Sequence, residues 1–141
     1  MSEINYTIPL APISKKNSQQ ILQNKKTGKP FIMPSRQYKE YAASAAWFLK
    51  PRPLHPISCP VNVKCLFFMP TKRRVDKINL EEAVHDILVE HGILADDCRD
   101  IIATTDGTMV LYDKENPRTE ITITRVADYI QWSDKFIGGK R

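Results

Sequence analysis

Apolar and polar residues along this chain follow a helical period in two places. The longer apolar stripe has the spacing i, i+3, i+4, i+7 and i+8, and it consists of Leu80, Ala83, Val84, Ile87 and Leu88. This spacing predicts an amphipathic helix over residues 80–91. Asn79 stands at the N-cap position of that helix and Glu82 at N3, which is the spacing of a capping box. Gly92 follows the last polar turn and suits a left-handed helix stop.

A second helix is predicted over residues 36–49, with Ser35 as its N-cap. Its apolar stripe consists of Tyr38, Tyr41, Ala42, Ala45 and Leu49. Trp47 and Phe48 add bulk near the end of this helix. We interpret both aromatic side chains as part of the core rather than as platforms on which bases stack.

Three segments carry strand patterns, namely residues 6–10, 61–69 and 120–126. Asp106 and Gly107 give the signal of a hairpin turn within residues 101–110. Residues 128–136 are compatible with a terminal helix. This order of elements predicts an α+β fold in which a small mixed sheet packs against two main helices.

The composition is that of a globular protein, with 42% apolar and 26% charged residues in a chain of 141. No apolar run reaches the ~18 residues that a membrane-spanning helix needs, and the N-terminus lacks the pattern of a secretory signal. The three cysteines form no C-x-x-C pair, and the three histidines lack the spacing of zinc ligands. We therefore expect reduced thiols and a cytoplasmic location.

The net charge of +5 is very unevenly distributed along the chain. Residues 1–75 hold thirteen Lys and Arg against two acids, a net of +11, whereas residues 76–141 hold eight against fourteen, a net of −6. The lysine-rich residues 15–30 predict a surface loop or hairpin. A basic first half suits a polyanion such as nucleic acid. A concentrated acidic half suits a protein that binds cations beside that polyanion.

Three carboxylates flank the predicted helix 80–91, because Asp76 lies just before it and Asp96 and Asp97 lie just after it. As a helix these residues span ~18 Å, and residues 92–97 cover roughly 20 Å if they are extended. A chain that reverses after the helix can therefore return Asp97 to the level of Asp76. The spacing permits a shared acidic site there.

Together these residues resemble the RusA family of Holliday-junction resolvases, which occurs in bacteria and prophages. The family pattern is a basic run, D-x-D-N-L-x-K-A, an amphipathic helix ending near D-A-L, a turn with Gly and a hydrophobic residue, and D-D. The matching segments are R-R-V-D-K-I-N-L-E-E-A from Arg73, D-I-L from Asp86, and G-I-L-A-D-D from Gly92. The resemblance implies one RusA-like nuclease domain over residues 1–126 and a C-terminal extension over residues 127–141.

The resemblance implies an Mg²⁺- or Mn²⁺-dependent endodeoxyribonuclease that is a homodimer. It would resolve four-way DNA junctions by paired phosphodiester hydrolysis, in recombination and repair in the cytoplasm of a bacterial or phage-infected cell. The implied catalytic residues are Asp76, Asp97 and Asp96, and the implied metal ligands are Asp76 and Asp97. Glu82 is not implied by the family, but it shares the polar face of the predicted helix with Asp86 and is our third candidate ligand. The implied DNA-binding residues are Lys15, Lys16, Asn17, Lys72, Arg73, Arg74 and Lys77.

Two positions depart from the family pattern, since Ile78 replaces its second aspartate and Glu82 replaces its lysine. Glu82 has two possible interpretations, as a capping-box residue or as a substitute metal ligand. Asp106 is either a turn residue or a further acid near the site.

Three other functions stay open for the whole protein. They are a degenerate junction-binding protein that does not cut, a structural or protein-binding domain, and a nuclease of other branched DNA.

Overall fold

The computed structural model of the chain describes residues 3–15 and 19–126, and for residues 19–22 and 31–34 only the backbone is considered. The elements in chain order are β1 (Ile4–Ile8), β2 (Gln19–Gln23), β3 (Pro30–Pro34), α1 (Arg36–Ala45), β4 (Val61–Met69), α2 (Lys77–Glu90), β5 (Ile102–Thr104), β6 (Met109–Tyr112) and β7 (Arg118–Arg125). The predicted terminal helix over residues 128–136 and the whole extension 127–141 lie outside the described residues.

A mixed five-stranded sheet forms the centre of the fold. Its order is β1-β7-β4-β5, with β6 also paired to β4. β7 is antiparallel to both β1 and β4, whereas β5 and β6 are parallel to β4. β2 and β3 form a separate two-stranded sheet. The prediction of a mixed α+β fold with two main helices is confirmed.

The core lies between the two helices and one face of the sheet. Alternate residues of β4 and β7 are buried, and they join the buried stripes of α1 and α2 in a single hydrophobic cluster. Tyr41 of α1 lies 3.5 Å from the Thr119 hydroxyl of β7, and the Tyr38 hydroxyl donates to the Ala83 carbonyl of α2 at 3.5 Å. These contacts fix α1 against both the sheet and α2.

Helix α1 begins as predicted, because the Ser35 hydroxyl accepts the Tyr38 N–H at 3.1 Å. The helix ends at Ala45, however, and the following turns bond to carbonyls three residues back. Leu49 of the predicted stripe is still buried, whereas Trp47 and Phe48 lie outside that stripe. The assignment of Trp47 and Phe48 to the core was therefore wrong, since Trp47 is 74% exposed and Phe48 39% exposed.

Helix α2 begins at Lys77, three residues earlier than predicted. Its N-cap is Asp76, whose Oδ1 accepts the N–H groups of Ile78 at 2.9 Å and Asn79 at 3.3 Å. The predicted capping box of Asn79 and Glu82 was wrong, because an acid three residues upstream already satisfies the first free N–H groups. Gly92 ends the helix with φ of 76°, as predicted.

Residues 101–110 do not form the predicted hairpin. β5 and β6 both run parallel to β4 and do not pair with each other, although a turn with Gly107 at φ 89° does separate them. Thr108 fills the gap between these two short strands, where its hydroxyl accepts the Cys65 N–H at 3.1 Å. The chain thus interrupts one parallel strand and resumes it in the same direction.

Candidate functional site

The N-terminal turn of α2 carries the first candidate acid. Asp76 is exposed, and one of its carboxylate oxygens is engaged in capping the helix. The anion is well placed there because the N-terminus of a helix carries partial positive charge. Asp76 therefore has a structural role that is independent of any chemistry.

One face of α2 continues from this cap along the helix. Ile78, Glu82 and His85 share it at i, i+4 and i+7. Ile78 is 60% exposed, so an apolar side chain meets solvent where the matching motif has an acid. Glu82 is also exposed. The two residues that differ from the motif, Ile78 and Glu82, are thus both exposed and do not belong to the core.

The chain folds back around the last turn of α2 before it reaches the second pair of acids. The N–H groups of Ile93 and Leu94 both donate to the Leu88 carbonyl, at 2.9 and 3.2 Å, and Ala95 donates to Ile57. Asp96 and Asp97 follow at once and are exposed, with the Asp97 N–H donating to Asp96 Oδ1 at 2.7 Å. The chain thus turns back after α2, while the return of Asp97 to the level of Asp76 stays a prediction.

His85 is the residue of this region that the sequence pattern missed. Burial lowers the pKa of His85 below its ordinary value of 6.5, and the carboxylates of Asp97, Asp86 and Glu82 act in the opposite direction. Asp86 and Glu82 are neighbours on the same helix, so Asp97 is the acid that the fold brings to His85. The helical spacing of Glu82 and His85 was the only signal in the sequence.

Two buried polar atoms near this face lack a hydrogen-bond partner among the described residues, namely Nε2 of His85 and Oε1 of Glu81. Lys77 Nζ lies 3.9 Å from that Glu81 oxygen, in an ion pair rather than a hydrogen bond. Lys77, a predicted phosphate contact, is thus partly neutralised by its own helix.

The predicted DNA-binding residues are distributed over several surfaces. Arg73 and Arg74 line an open groove of about 460 Å³ beside the start of α2. Lys72 lies over the Tyr112 ring at 5.1 Å, and Lys15 pairs with Asp86 at 2.9 Å. Lys16 and Asn17 lie outside the described residues.

The described carboxylates of this region do not form a closed metal site. Within residues 3–15 and 19–126, no three His, Cys, Asp or Glu side chains are grouped so that they could hold a metal ion. A closed protein cage of Asp76, Asp97 and Glu82 is therefore not formed. Exposed carboxylates are nevertheless the donors that Mg²⁺ takes, and Mg²⁺ is commonly bound by one or two of them together with substrate phosphates. The residues fit a site that the DNA would complete.

A protein-family model described as Endodeoxyribonuclease RusA matches residues 9–124. The chain belongs to the RusA family. Membership implies an endonuclease that acts on Holliday junctions, and the resemblance found in the motifs around α2 is confirmed over most of the chain. A comparison with curated proteins finds no match. In the described part of this RusA-family chain, neither helix has the length and hydropathy to cross a membrane.

Proposed function

We propose that this RusA-family protein resolves four-way DNA junctions as a homodimer by paired, Mg²⁺-dependent phosphodiester hydrolysis. We assign the domain to residues 1–126. Asp76, Asp96 and Asp97 are the proposed catalytic residues. Asp76, Asp97 and Glu82 are the proposed metal ligands, of which one or two would hold the ion together with phosphates of the bound DNA. The observation that carries the proposal is the family match together with the exposed Asp76 beside Arg74 of the cationic groove.

The side chains of the proposed site would have different roles in binding and cleavage. Arg73 and Arg74 would bind and orient the phosphates of the scissile strand. Asp97 would hold an ion at that strand, and a bound Mg²⁺ would polarise the scissile phosphate and lower the pKa of its bound water. Two-fold symmetry would place two such regions opposite each other, to match the paired strands of a junction.

Cleavage of a synthetic four-way junction by the wild-type protein and by Asp97→Asn tests this proposal. We expect Mg²⁺-dependent cleavage by the wild type and a loss of at least ~100-fold in the variant, because the amide keeps the shape of the carboxylate and removes its charge. Equal cleavage by both proteins would exclude Asp97 as an essential ligand.

A second function, junction binding without cleavage, is favoured by Ile78 and Glu82. An exposed Ile at the position of the second motif acid cannot ligate a metal, and Glu82 cannot neutralise phosphate charge. The double variant Ile78→Asp/Glu82→Lys separates the two functions. Cleavage that begins only in this variant would support the binding function, and cleavage that is already present in the wild type would refute it.

A further inference from the structure

The hairpin formed by residues Gln19–Pro34, here called the arm, is distinct from the central sheet. β2 and β3 pair antiparallel from Gln19↔Pro34 to Gln23↔Pro30, and neither pairs with a strand of the five-stranded sheet. Five residues of antiparallel strand extend ~17 Å. The turn over residues 24–29 therefore lies about that far from the base of the arm.

That turn is ordered by its own hydrogen bonds. The Asn24 N–H donates to the Lys29 carbonyl at 2.9 Å, and the Gly28 N–H donates to the Asn24 carbonyl at 2.8 Å. Asn24 Oδ1 accepts the N–H groups of Lys26 at 2.9 Å and Thr27 at 3.2 Å. Gly28 has φ of 70°, which the reversal requires. A turn held in this way loses little conformational freedom when it binds a partner.

The turn presents three exposed lysines, Lys25, Lys26 and Lys29. None of them belongs to an ion pair among the described residues. The sequence offers no local acid to neutralise them, because no Asp or Glu occurs between Glu3 and Glu40. The tip of the arm is thus a compact cationic surface whose charges are not paired by any acid in the described part of the chain.

Both ends of the arm are fastened beside helix α2. Before the arm, Lys15 pairs with Asp86 of α2 at 2.9 Å. After it, Ser35 caps α1, whose Tyr38 donates to the Ala83 carbonyl of α2. The groove near the start of α2 also joins the two regions, since its lining includes Ile13, Ser14, Gln37, Arg73 and Arg74. The groove that holds Arg73 and Arg74 therefore reaches the segments on both sides of the arm.

We propose that the arm is a second DNA-binding site, which holds the phosphate backbone of a duplex branch while the scissile strand lies at α2. Lys25, Lys26 and Lys29 contact phosphates without reading bases, since each presents an ammonium group on a flexible stem. The arm thus contributes to affinity and to placing the branch, and it takes no part in the chemistry. This assignment rests on the proposed function for the identity of its partner.

The test compares two triple variants of the full chain that each remove three positive charges. The arm variant is Lys25→Gln/Lys26→Gln/Lys29→Gln. The control is Lys50→Gln/Lys114→Gln/Arg125→Gln, which changes exposed residues outside both the arm and the groove. Dissociation constants for a linear duplex and for a four-way junction are measured over a series of salt concentrations.

For the arm variant we expect the association constant K for the duplex to fall roughly tenfold at 0.1 M salt. The negative slope of log K against log salt concentration should become shallower by about 2.7, or about 0.9 for each of the three phosphate contacts. The control should change the slope by less than about 1. Equal effects of the two variants would overturn the proposal by showing that only net charge matters, and so would an arm variant that binds like the wild type.

The proposed DNA binding by the arm and the proposed junction cleavage can be refuted separately. If the wild type cuts no junction but its duplex binding still depends on the arm, junction cleavage is refuted and DNA binding by the arm is supported. If the junction is cut and the arm variant retains the wild-type salt slope on both substrates, DNA binding by the arm is refuted and the nuclease activity is supported.

Discussion

At the scale of single residues, Asp76 has a structural and a chemical role in one carboxylate. Its Oδ1 accepts two N–H groups at the start of α2, and this interaction holds in the absence of any ion. In the proposed site the same side chain also ligates Mg²⁺. The two roles differ in what they require, because capping needs an acceptor oxygen and metal binding needs a negative charge.

Substitution of Asp76 by Asn and by Ala should separate these roles. Asp76→Asn keeps an acceptor of similar capping strength, so its free energy of unfolding should stay near that of the wild type, while Asp76→Ala should lose about 1 kcal/mol. Both variants should lose junction cleavage. Chemical denaturation measures the first effect and the cleavage assay the second. Full cleavage by Asp76→Asn would contradict the ligand role and leave only the cap.

His85 should make stability depend on pH. Its pKa is lowered in the folded protein, so the unfolded chain binds more protons than the folded one as the pH falls through 6.5. The stability that neutral His85 provides is complete above this pH and is lost progressively below it. Denaturation at a series of pH values should show this loss in the wild type.

The variant His85→Phe should reduce that loss of stability at low pH. It should also gain about 1 kcal/mol at pH 8, because the unpartnered Nε2 is removed from a buried position. His55→Gln, at an exposed histidine, is the control and should follow the wild type. A pH profile that is unchanged in His85→Phe would show that other groups account for the acid sensitivity.

At the scale of elements, the interrupted strand beside β4 depends on one side chain. β5 pairs near Val61 and β6 pairs from Leu66 onward, so the backbone between them has a gap in its ladder. Thr108, 9% exposed, supplies a hydroxyl to the Cys65 N–H in that gap. A side-chain oxygen here replaces the carbonyl that an uninterrupted parallel strand would provide.

Thr108→Val should therefore destabilise the fold by about 1–3 kcal/mol, since the isosteric side chain leaves the buried Cys65 N–H without an acceptor. Thr122→Val on β7 is a matched control, because Thr122 bonds the exposed Asn5 side chain. Thermal or chemical denaturation of both variants measures the difference. A loss of stability no larger in Thr108→Val than in the control would contradict this role.

Periodicity predicted the elements whose burial follows one regular stripe. The stripe Leu80 to Leu88 and the alternation from Val61 to Phe67 are both buried as expected. It failed where local interactions decide the outcome. The Asp76 cap extended α2, α1 ended at Ala45 in turns bonded three residues back, and the chain after Gly107 pairs with β4 instead of with β5.

The candidate site was predictable only in part for the same kind of reason. Spacing identified Asp76 and Asp97 on either side of the helix, and the chain does reverse after Gly92. The pairing of Lys15 with Asp86 and the approach of Asp97 to His85 depend on tertiary packing. No periodic pattern contains that information.

At the scale of the whole molecule, charge and family membership point to one activity. The first 75 residues carry a net +11 and the rest a net −6, and the fold sets Arg74 of the cationic groove beside Asp76 at the start of α2. A homodimer would present two such surfaces to the two-fold symmetry of a four-way junction. The proposed resolvase activity requires that these surfaces cut DNA and do not only bind it.

Strand-specific cleavage of a four-way junction distinguishes a resolvase from a protein that only binds the junction. Each of the four strands is end-labelled in turn, the junction is saturated with protein, and Mg²⁺ is then added to start a single turnover. The account predicts symmetric cuts in two opposing strands by the wild type and none by Asp97→Asn at equal occupancy. A saturated junction that stays intact with the wild-type protein would contradict it.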